Sequence, residues 1–268
     1  MRILLLLVLL FSFTVKAEGF CDIGVVDTIK QAYPKAGENI GDKIKFNDKE
    51  AKIASLDINH SQCKVWPAFP ELAIIAVSVE AERHAETDFY DLELFIVSLK
   101  DNKIIEHYID KDLRKRRSSV SIKLDTAYYK LNDSNIAFAV RTTISSLPTS
   151  RSVFKSSEEF FNLYTFQDNK IKKVMTNLRM KIFFGERKNK TTCAGRFEDD
   201  KRILIIDKNK SSGFYDLKVK RKVRKFYRVA KQNNECSDTD GKTYNYGASY
   251  IKFDGEKYKI PSSLEPIM

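Results

Sequence analysis

Apolar and polar residues alternate with period two over several stretches. They include Val120, Ile122 and Leu124; Ile136, Phe138 and Val140; and Leu178, Met180, Ile182 and Phe184. Period two sends successive side chains to opposite sides of an extended chain, which is the signature of a half-buried strand. Leu72 to Val79 is an apolar run of strand length, and Asp91 to Leu99 is apolar on both faces, as in a central strand. Asp101-Asn102-Lys103 turns the chain into Ile104 to Tyr108, and Asp168-Asn169-Lys170 turns Leu163 to Phe166 into Ile171 to Val174. Two short hairpins are predicted near the ends. Lys43 to Phe46 and Ala51 to Ile53 flank Asn47 to Glu50. Tyr250 to Phe253 and Tyr258 to Ile260 flank Asp254-Gly255, a tight-turn pair if both residues tolerate positive φ. The tetrapeptide Phe-Tyr-Asp-Leu occurs at 89–92 and 214–217, and Phe160-Phe161-Asn162-Leu163 is a variant, which suggests one kind of strand start used repeatedly. Helical periodicity is short, near 24–33, where Pro34 ends it, and at 155–162.

These elements predict an all-β fold of repeated antiparallel hairpins with few short helices. The arrangement expected is β-propeller-like, with a β-sandwich as the runner-up. Residues 18–60 form a helix and hairpin region, and residues 61–268 a β-rich domain. Residues 1–17 read as a signal peptide: Arg2 starts it, Ile3 to Val15 is almost wholly apolar, and Val15-Lys16-Ala17 carries small residues at the two positions that precede cleavage. Cys21 follows Phe20, whereas a lipid-modified cysteine needs a small residue there. Export, to the periplasm or the exterior, is the localisation expected.

Export makes disulfides the default state of Cys21, Cys63, Cys193 and Cys236. Four cysteines allow three pairings. The nearest-neighbour one closes two loops, each worth on the order of 3–4 kcal/mol in the loop-entropy model. No Cys-x-x-Cys occurs, so redox chemistry is disfavoured.

Charge changes the picture most. Residues 170–231 hold 21 basic and 6 acidic residues, a net of +15. The chain as a whole has a formal net charge of +11, so the basicity belongs to one segment. If Leu217 to Val229 is a strand, Leu217, Val219, Val223, Tyr227 and Val229 share one face with Arg221 and Lys225. Lys218, Lys220, Lys222, Arg224 and Arg228 share the other with Phe226. Helical spacing through Val219, Val223, Phe226 and Ala230 is the alternative. A cationic ribbon roughly 35 Å long, at about 3.3 Å per residue, attracts anions. The plainer reading is a solvated edge strand kept from pairing by its lysines. Lys111 to Arg117 is a second basic run that extends the patch if it lies nearby.

Catalytic patterns are sparse. No glycine lies between Gly41 and Gly185, and neither phosphate-cradling glycine loop nor Gly-x-Ser-x-Gly occurs. The histidines are His60, His84 and His107; His60-x-x-Cys63 has metal-like spacing, but two ligands do not make a site. Glu80, Glu82, Glu86, Asp88 and Asp91 read as a solvated acidic loop rather than a catalytic pair. Asp207 to Leu217 places oxygen-bearing side chains at alternate positions before Gly213, like a calcium loop. Two lysines interleave and Ser211 stands where a carboxylate is wanted, so a polar turn is the better reading. No metal or cofactor is expected.

Ordered segments resemble a group of uncharacterised secreted bacterial β-rich proteins. They are Cys63-Lys64-Val65-Trp66-Pro67, Asp91-Leu92-Glu93-Leu94, Leu124-Asp125-Thr126-Ala127-Tyr128-Tyr129, Ala139-Val140-Arg141, Asn162-Leu163-Tyr164, Cys193, Asp216-Leu217-Lys218-Val219, Cys236 and Phe253-Asp254-Gly255. The resemblance implies an exported β-rich protein with a Cys193–Cys236 bridge and implies no activity. This chain is richer in lysine and poorer in glycine than that group.

The function expected is that of a non-enzymatic binding protein of the bacterial envelope. Its basic face, Lys218, Lys220, Lys222, Arg224 and Arg228, meets an anionic envelope component or an acidic protein, with nucleic acid disfavoured. An exported hydrolase, or an inhibitor or immunity partner of a lytic enzyme or toxin, is the alternative.

Overall fold

The computed structural model describes residues 19–21, 24–34, 39–40, 43–47, 53–57, 61–84, 87–115, 118–146, 153–189, 192–231, 235–239 and 241–265. The expected signal peptide, His60 and Glu86 lie outside them. Main chain alone is described at His84, Glu80, Glu82 and Asp88. The fold is all-β and antiparallel, built from consecutive hairpins, and no propeller closes among the described residues. Contacts divide the chain into two units. One comprises Met1–Arg116, Ile122–Tyr128 and Phe166–Ile171; the other comprises Arg117–Ser121, Tyr129–Thr165 and Lys172–Met268.

The first unit holds β1 (Asn39–Ile40), β2 (Lys43–Asn47), β3 (Ile53–Asp57), β4 (Gln62–Trp66), β5 (Phe69–His84), β6 (Thr87–Ser98) and β7 (Lys103–Lys115). The sheet order is β1-β2-β3-β5-β6-β7, and β4 also pairs with β5. The hairpin expected at 43–53 is present, with Asn47 opposite Ile53. β3 pairs with β5, so one sheet runs across the boundary expected at residue 60. Residues 24–32 are helical. The helix stops at Pro34, which has no N–H to continue the ladder. Its buried face, Val25 and Ile29 with Phe20, packs on Ala73, Ile75, Val77 and Val79 of β5 and Phe95 and Val97 of β6. Full burial of a side chain such as Ile29 contributes roughly 1.5–3 kcal/mol, and Cys21–Cys63 ties this segment to β4 with Cα atoms 5.4 Å apart. Residues 91–97 are buried at every position, as a strand covered on both faces requires. Asp91 is therefore not part of a solvated acidic loop; it is buried within β6. Asn102, with φ of 56°, makes the turn into β7.

The other nine strands form one antiparallel sheet that lies mostly in the second unit; residues Ile122–Tyr128 and Phe166–Ile171 of this stretch fall in the first. Its strands are β8 (Ser118–Lys130), β9 (Ile136–Ser146), β10 (Phe154–Gln167), β11 (Lys170–Arg187), β12 (Gly195–Ser211), β13 (Phe214–Ala230), β14 (Cys236–Asp238), β15 (Lys242–Phe253) and β16 (Tyr258–Lys259). The order is β16-β15-β13-β12-β11-β10-β9-β8, and β14 pairs with the far end of β13. The helix expected at 155–162 is instead strand. Ser157 to Thr165 pair residue by residue with Ser145 to Ala137 of β9, and that ladder overrides the weak local helical spacing. Asp168 and Asn169 both have positive φ, 52° and 55°, as a two-residue turn matched to the sheet twist requires.

Two turns differ from expectation. The polar stretch 207–213 is mostly strand: β12 runs to Ser211 with a bulge after Ile206, and only Ser212 and Gly213 turn. Asp254-Gly255 does not form a two-residue turn. Phe253 pairs with Tyr258 across four residues, and only Gly255 has positive φ, at 107°. The Asp254 carboxylate accepts the N–H groups of Glu256 and Lys257 at 2.9 and 2.8 Å, so its side chain supplies the turn that the backbone was expected to make.

The Phe-Tyr-Asp-Leu echo gains a physical meaning. Its third residue, Asp91, Asn162 or Asp216, is buried each time, and so is the leucine that follows. The variant at 160–163 lies in the middle of β10, not at its start. Asn162 Oδ1 accepts the N–H of Asn177, a residue of β11 with φ of 55°. The main core of this unit gathers Ala139, Phe161, Leu163, Leu178, Met180, Leu217, Val219, Ile251 and Leu264. Cys193–Cys236 ties the chain before β12 to β14, with Cα atoms 6.1 Å apart. Among the described cysteines none is free.

Candidate anion-binding face

β13 is a strand over its whole basic stretch, paired with β12 from Leu217 to Arg228, so the helical alternative is excluded. Directly opposite residues in an antiparallel ladder lie on the same side of the sheet. Leu217, Val219, Arg221 and Val223 therefore share a face with Ile206, Leu204, Arg202 and Asp200 of β12. That face is the core side. Lys218, Lys220, Lys222 and Arg224 lie on the opposite, even-numbered face. Lys220, Lys222 and Arg224 are exposed and Lys218 is half-buried.

The two faces treat charge differently. On the odd-numbered face both cations of β13, half-buried Arg221 and exposed Lys225, have a carboxylate. Arg221 Nε donates to both oxygens of Asp200 at 3.1 and 3.0 Å, and these bonds raise its pKa above the ordinary arginine value. Lys225 meets Glu198 at 3.1 Å, and the same kind of bond raises its pKa. On the even face Lys218 lies 5.6 Å from the Tyr250 ring centre and Arg224 lies 4.6 Å from that of Phe226. Among the described residues Lys220 and Lys222 make no ion pair.

Register brings in cations that sequence reasoning missed. Lys222 lies opposite Lys201 of β12, and Lys201 lies opposite Lys181 of β11. Three lysines thus stand side by side across three strands, an arrangement that like-charge repulsion disfavours. Asp199 answers Lys201 at 2.6 Å, leaving Lys181 and Lys222 flanking that pair. Both added lysines lie inside the basic segment 170–231, but only the pairing shows that they neighbour Lys222.

The ribbon is shorter than expected. Phe226 is buried on the even face, stacked 5.5 Å from Phe197, which stacks 5.9 Å from Phe183. Beyond that point Arg228 is bound to Asp238 at 2.8 Å and lies over Phe197 at 4.6 Å, so its charge is spent internally. Tyr227 and Val229 share the parity of Val219 but are exposed, because the core lies on the even side at this end of the strand. Opposite Lys220 and Lys218 stand Ile203 and Ile205, 63% and 39% exposed. The surface is therefore cationic with interleaved apolar side chains. Lys111 and Asp112 to Lys115 lie in β7 of the first unit, whereas β13 belongs to the second.

Other candidates resolve as structure. His107 Nε2 is 2.8 Å from Glu93, stacked on Phe95 at 4.3 Å, and Tyr33 Oη donates to the same carboxylate at 2.7 Å. Cys63 is bridged to Cys21. Among the described residues no three His, Cys, Asp or Glu side chains are placed to hold a metal ion, and no helix is long and apolar enough to cross a membrane. Comparison with known proteins gives no match to a family model, to a curated protein or to a solved structure. The two disulfides fit an exported protein.

Proposed function

We propose that this is a non-enzymatic, exported binding protein of the bacterial envelope, and that its partner is the anionic lipid surface of a membrane. The observation that carries the reading is the row Lys181, Lys201 and Lys222, flanked by Lys220 and beside exposed Ile203 and Ile205. Fixed like charges repel, so a sheet that aligns them gains stability when an anionic surface neutralises them. The apolar side chains between the lysines suit insertion at the headgroup boundary better than they suit a fully hydrated polymer.

Each Lys or Arg held near an anionic bilayer contributes about 1 kcal/mol. Removing Lys218, Lys220, Lys222 and Arg224 therefore weakens attachment by about 4 kcal/mol, or roughly a thousandfold. The test is co-sedimentation of the full chain with phosphatidylglycerol-containing vesicles and with neutral phosphatidylcholine vesicles. Attachment to the anionic vesicles alone is expected, lost in the Lys218→Gln/Lys220→Gln/Lys222→Gln/Arg224→Gln variant. It should also fall steeply between 0.1 and 1 M salt, where the screening length drops from about 10 to about 3 Å. Salt-independent attachment that survives loss of the four charges overturns the reading.

A further inference from the structure

The last long strand of the nine-stranded sheet has an open edge. β15 pairs with β13 on one side, and on the other β16 meets only Lys252 and Phe253. Every residue from Lys242 to Ala248 is exposed, and among the described residues no main-chain hydrogen bond from outside the sheet reaches them. A row of free N–H and C=O groups is a template for a further strand, and proteins ordinarily blunt it. The ends of the two sheet orders show how this chain does so elsewhere. β1 and β16 are two residues long, β7 carries Lys103, Glu106, Asp110 and Lys111, and β8 carries Lys123, Asp125 and Lys130. β15 has neither device. From Thr243 to Tyr250 it holds no charged residue and no proline, and it presents Tyr244, Tyr246 and Tyr250 to solvent.

Register limits what can add. Against β13 the strand is regular from Lys242 to Tyr246 and irregular beyond, before Val219 meets Ser249. Five residues make a strand of ordinary length. Consider a second copy of the same five residues, antiparallel and related by a two-fold axis at Tyr244. Tyr244 then stands opposite itself, Thr243 opposite Asn245 and Lys242 opposite Tyr246. Aromatic cross-strand pairs are favourable, and each lysine meets an aromatic ring rather than another lysine. An acidic peptide finds only Lys242 along this edge, so charge does not select one. A neutral strand matches its own kind.

We infer that two copies of this chain pair edge to edge along Lys242–Tyr246 of β15, as a dimer with the same surface used by both partners. The two-fold axis of such a pairing stands normal to the sheet, so both copies turn the same face to the same side. The even-numbered faces of the two β13 strands, with Lys220 and Lys222, then point in one direction. One β13 lies three strand spacings from the other, about 14 Å at about 4.8 Å each, which exceeds the screening length of about 10 Å at 0.1 M salt. Repulsion between the lysine rows therefore opposes the dimer only weakly. Together the rows offer a flat anionic surface two sets of contacts, a consequence that rests on the membrane reading, whereas the dimer itself does not. Pairing consumes the open edge of each copy, so the assembly stops at two.

Sedimentation equilibrium of the full chain, without lipid, tests the inference independently of the membrane reading. A reversible dimer is expected, its fraction rising with protein concentration. Tyr244→Lys sets two lysines against each other at the axis and should weaken dimerisation by roughly tenfold, with the far-ultraviolet circular dichroism of the parent. Tyr244→Phe keeps the aromatic pair and should dimerise as the parent does. In the parent, amide hydrogen exchange over residues 242–246 should slow as protein concentration rises, a measurement that needs no substitution. Four outcomes overturn the inference: a monomer at every concentration, a dimer that Tyr244→Lys leaves intact, exchange at 242–246 that ignores protein concentration, or exchange there slowed by added polyglutamate but not by the chain itself.

Discussion

Val223 and Lys222 are neighbours on β13, yet the sheet gives them opposite tasks, and their substitution should show it. Val219 and Val223 are 0% and 1% exposed. Cutting either to alanine removes two buried carbons, about 1.6 kcal/mol at about 0.8 kcal/mol per methylene. The cavity left behind brings the cost to roughly 2–2.5 kcal/mol each. The two positions lie about 13 Å apart along the strand, four residues at about 3.3 Å. At that distance the effects add, so Val219→Ala/Val223→Ala should lose about 4–5 kcal/mol. Lys220→Gln/Lys222→Gln should instead be neutral or gain a few tenths of a kcal/mol, because repulsion with Lys201 is relieved. Urea denaturation measures both, but the probe matters. The only tryptophan, Trp66, belongs to the first unit, so its fluorescence does not report β13 directly. Far-ultraviolet circular dichroism should be followed beside it. A midpoint shift at unchanged slope is the expected form of the valine effect. If the lysine pair costs as much as the valine pair, the assignment of the two faces is wrong.

Three further outcomes follow from individual contacts. Hydrogen bonds from Lys257 and Glu256, and then Lys259, hold the Asp254 carboxyl well below the usual carboxylate range. Its contribution is therefore present above about pH 4 and lost as pH falls through the depressed folded value. The stability gap between the parent and Asp254→Ala should close in acid, and a gap constant with pH would count against the turn geometry. Replacing Cys193 and Cys236 by serine removes a link 43 residues apart in sequence and should cost about 4 kcal/mol in denaturation, with thiol labelling of the parent finding none free. Tyr33→Phe removes a donor to the buried Glu93 and should cost about 1.5–3 kcal/mol. It should also speed amide exchange in residues 24–32, and unchanged exchange would show that the contact does not hold the helix.

Much of this protein was legible along the chain because a strand has its own period. The strands read at 120–124, 136–140 and 178–184, the doubly covered stretch from residue 91 and the Asp-Asn turn at 168–169 each reappear, although residues 137–140 are buried on both faces rather than one and the alternation at 178–184 lapses at exposed Phe184. So does the even face of β13, since parity alone gathers Lys218, Lys220, Lys222 and Arg224. The failures share one cause. At 155–162 local spacing favoured a helix, and a nine-residue ladder with β9 decided for strand. At 254–255 the residue pair favoured a two-residue turn, and the Asp254 side chain bonded two N–H groups instead. Register was invisible, because which lysine faces which depends on partners distant in sequence. Lys181 and Lys201 joined the cationic row, and Arg202 met Arg221, only when β11, β12 and β13 paired. Burial was likewise a tertiary outcome: Phe226 and Arg228 share the parity of Lys222, yet stacking with Phe197 and pairing with Asp238 take them out of the exposed face. The chain by itself determined which side chains share a face of a strand; only packing between strands determined which face meets solvent and which charges stand together.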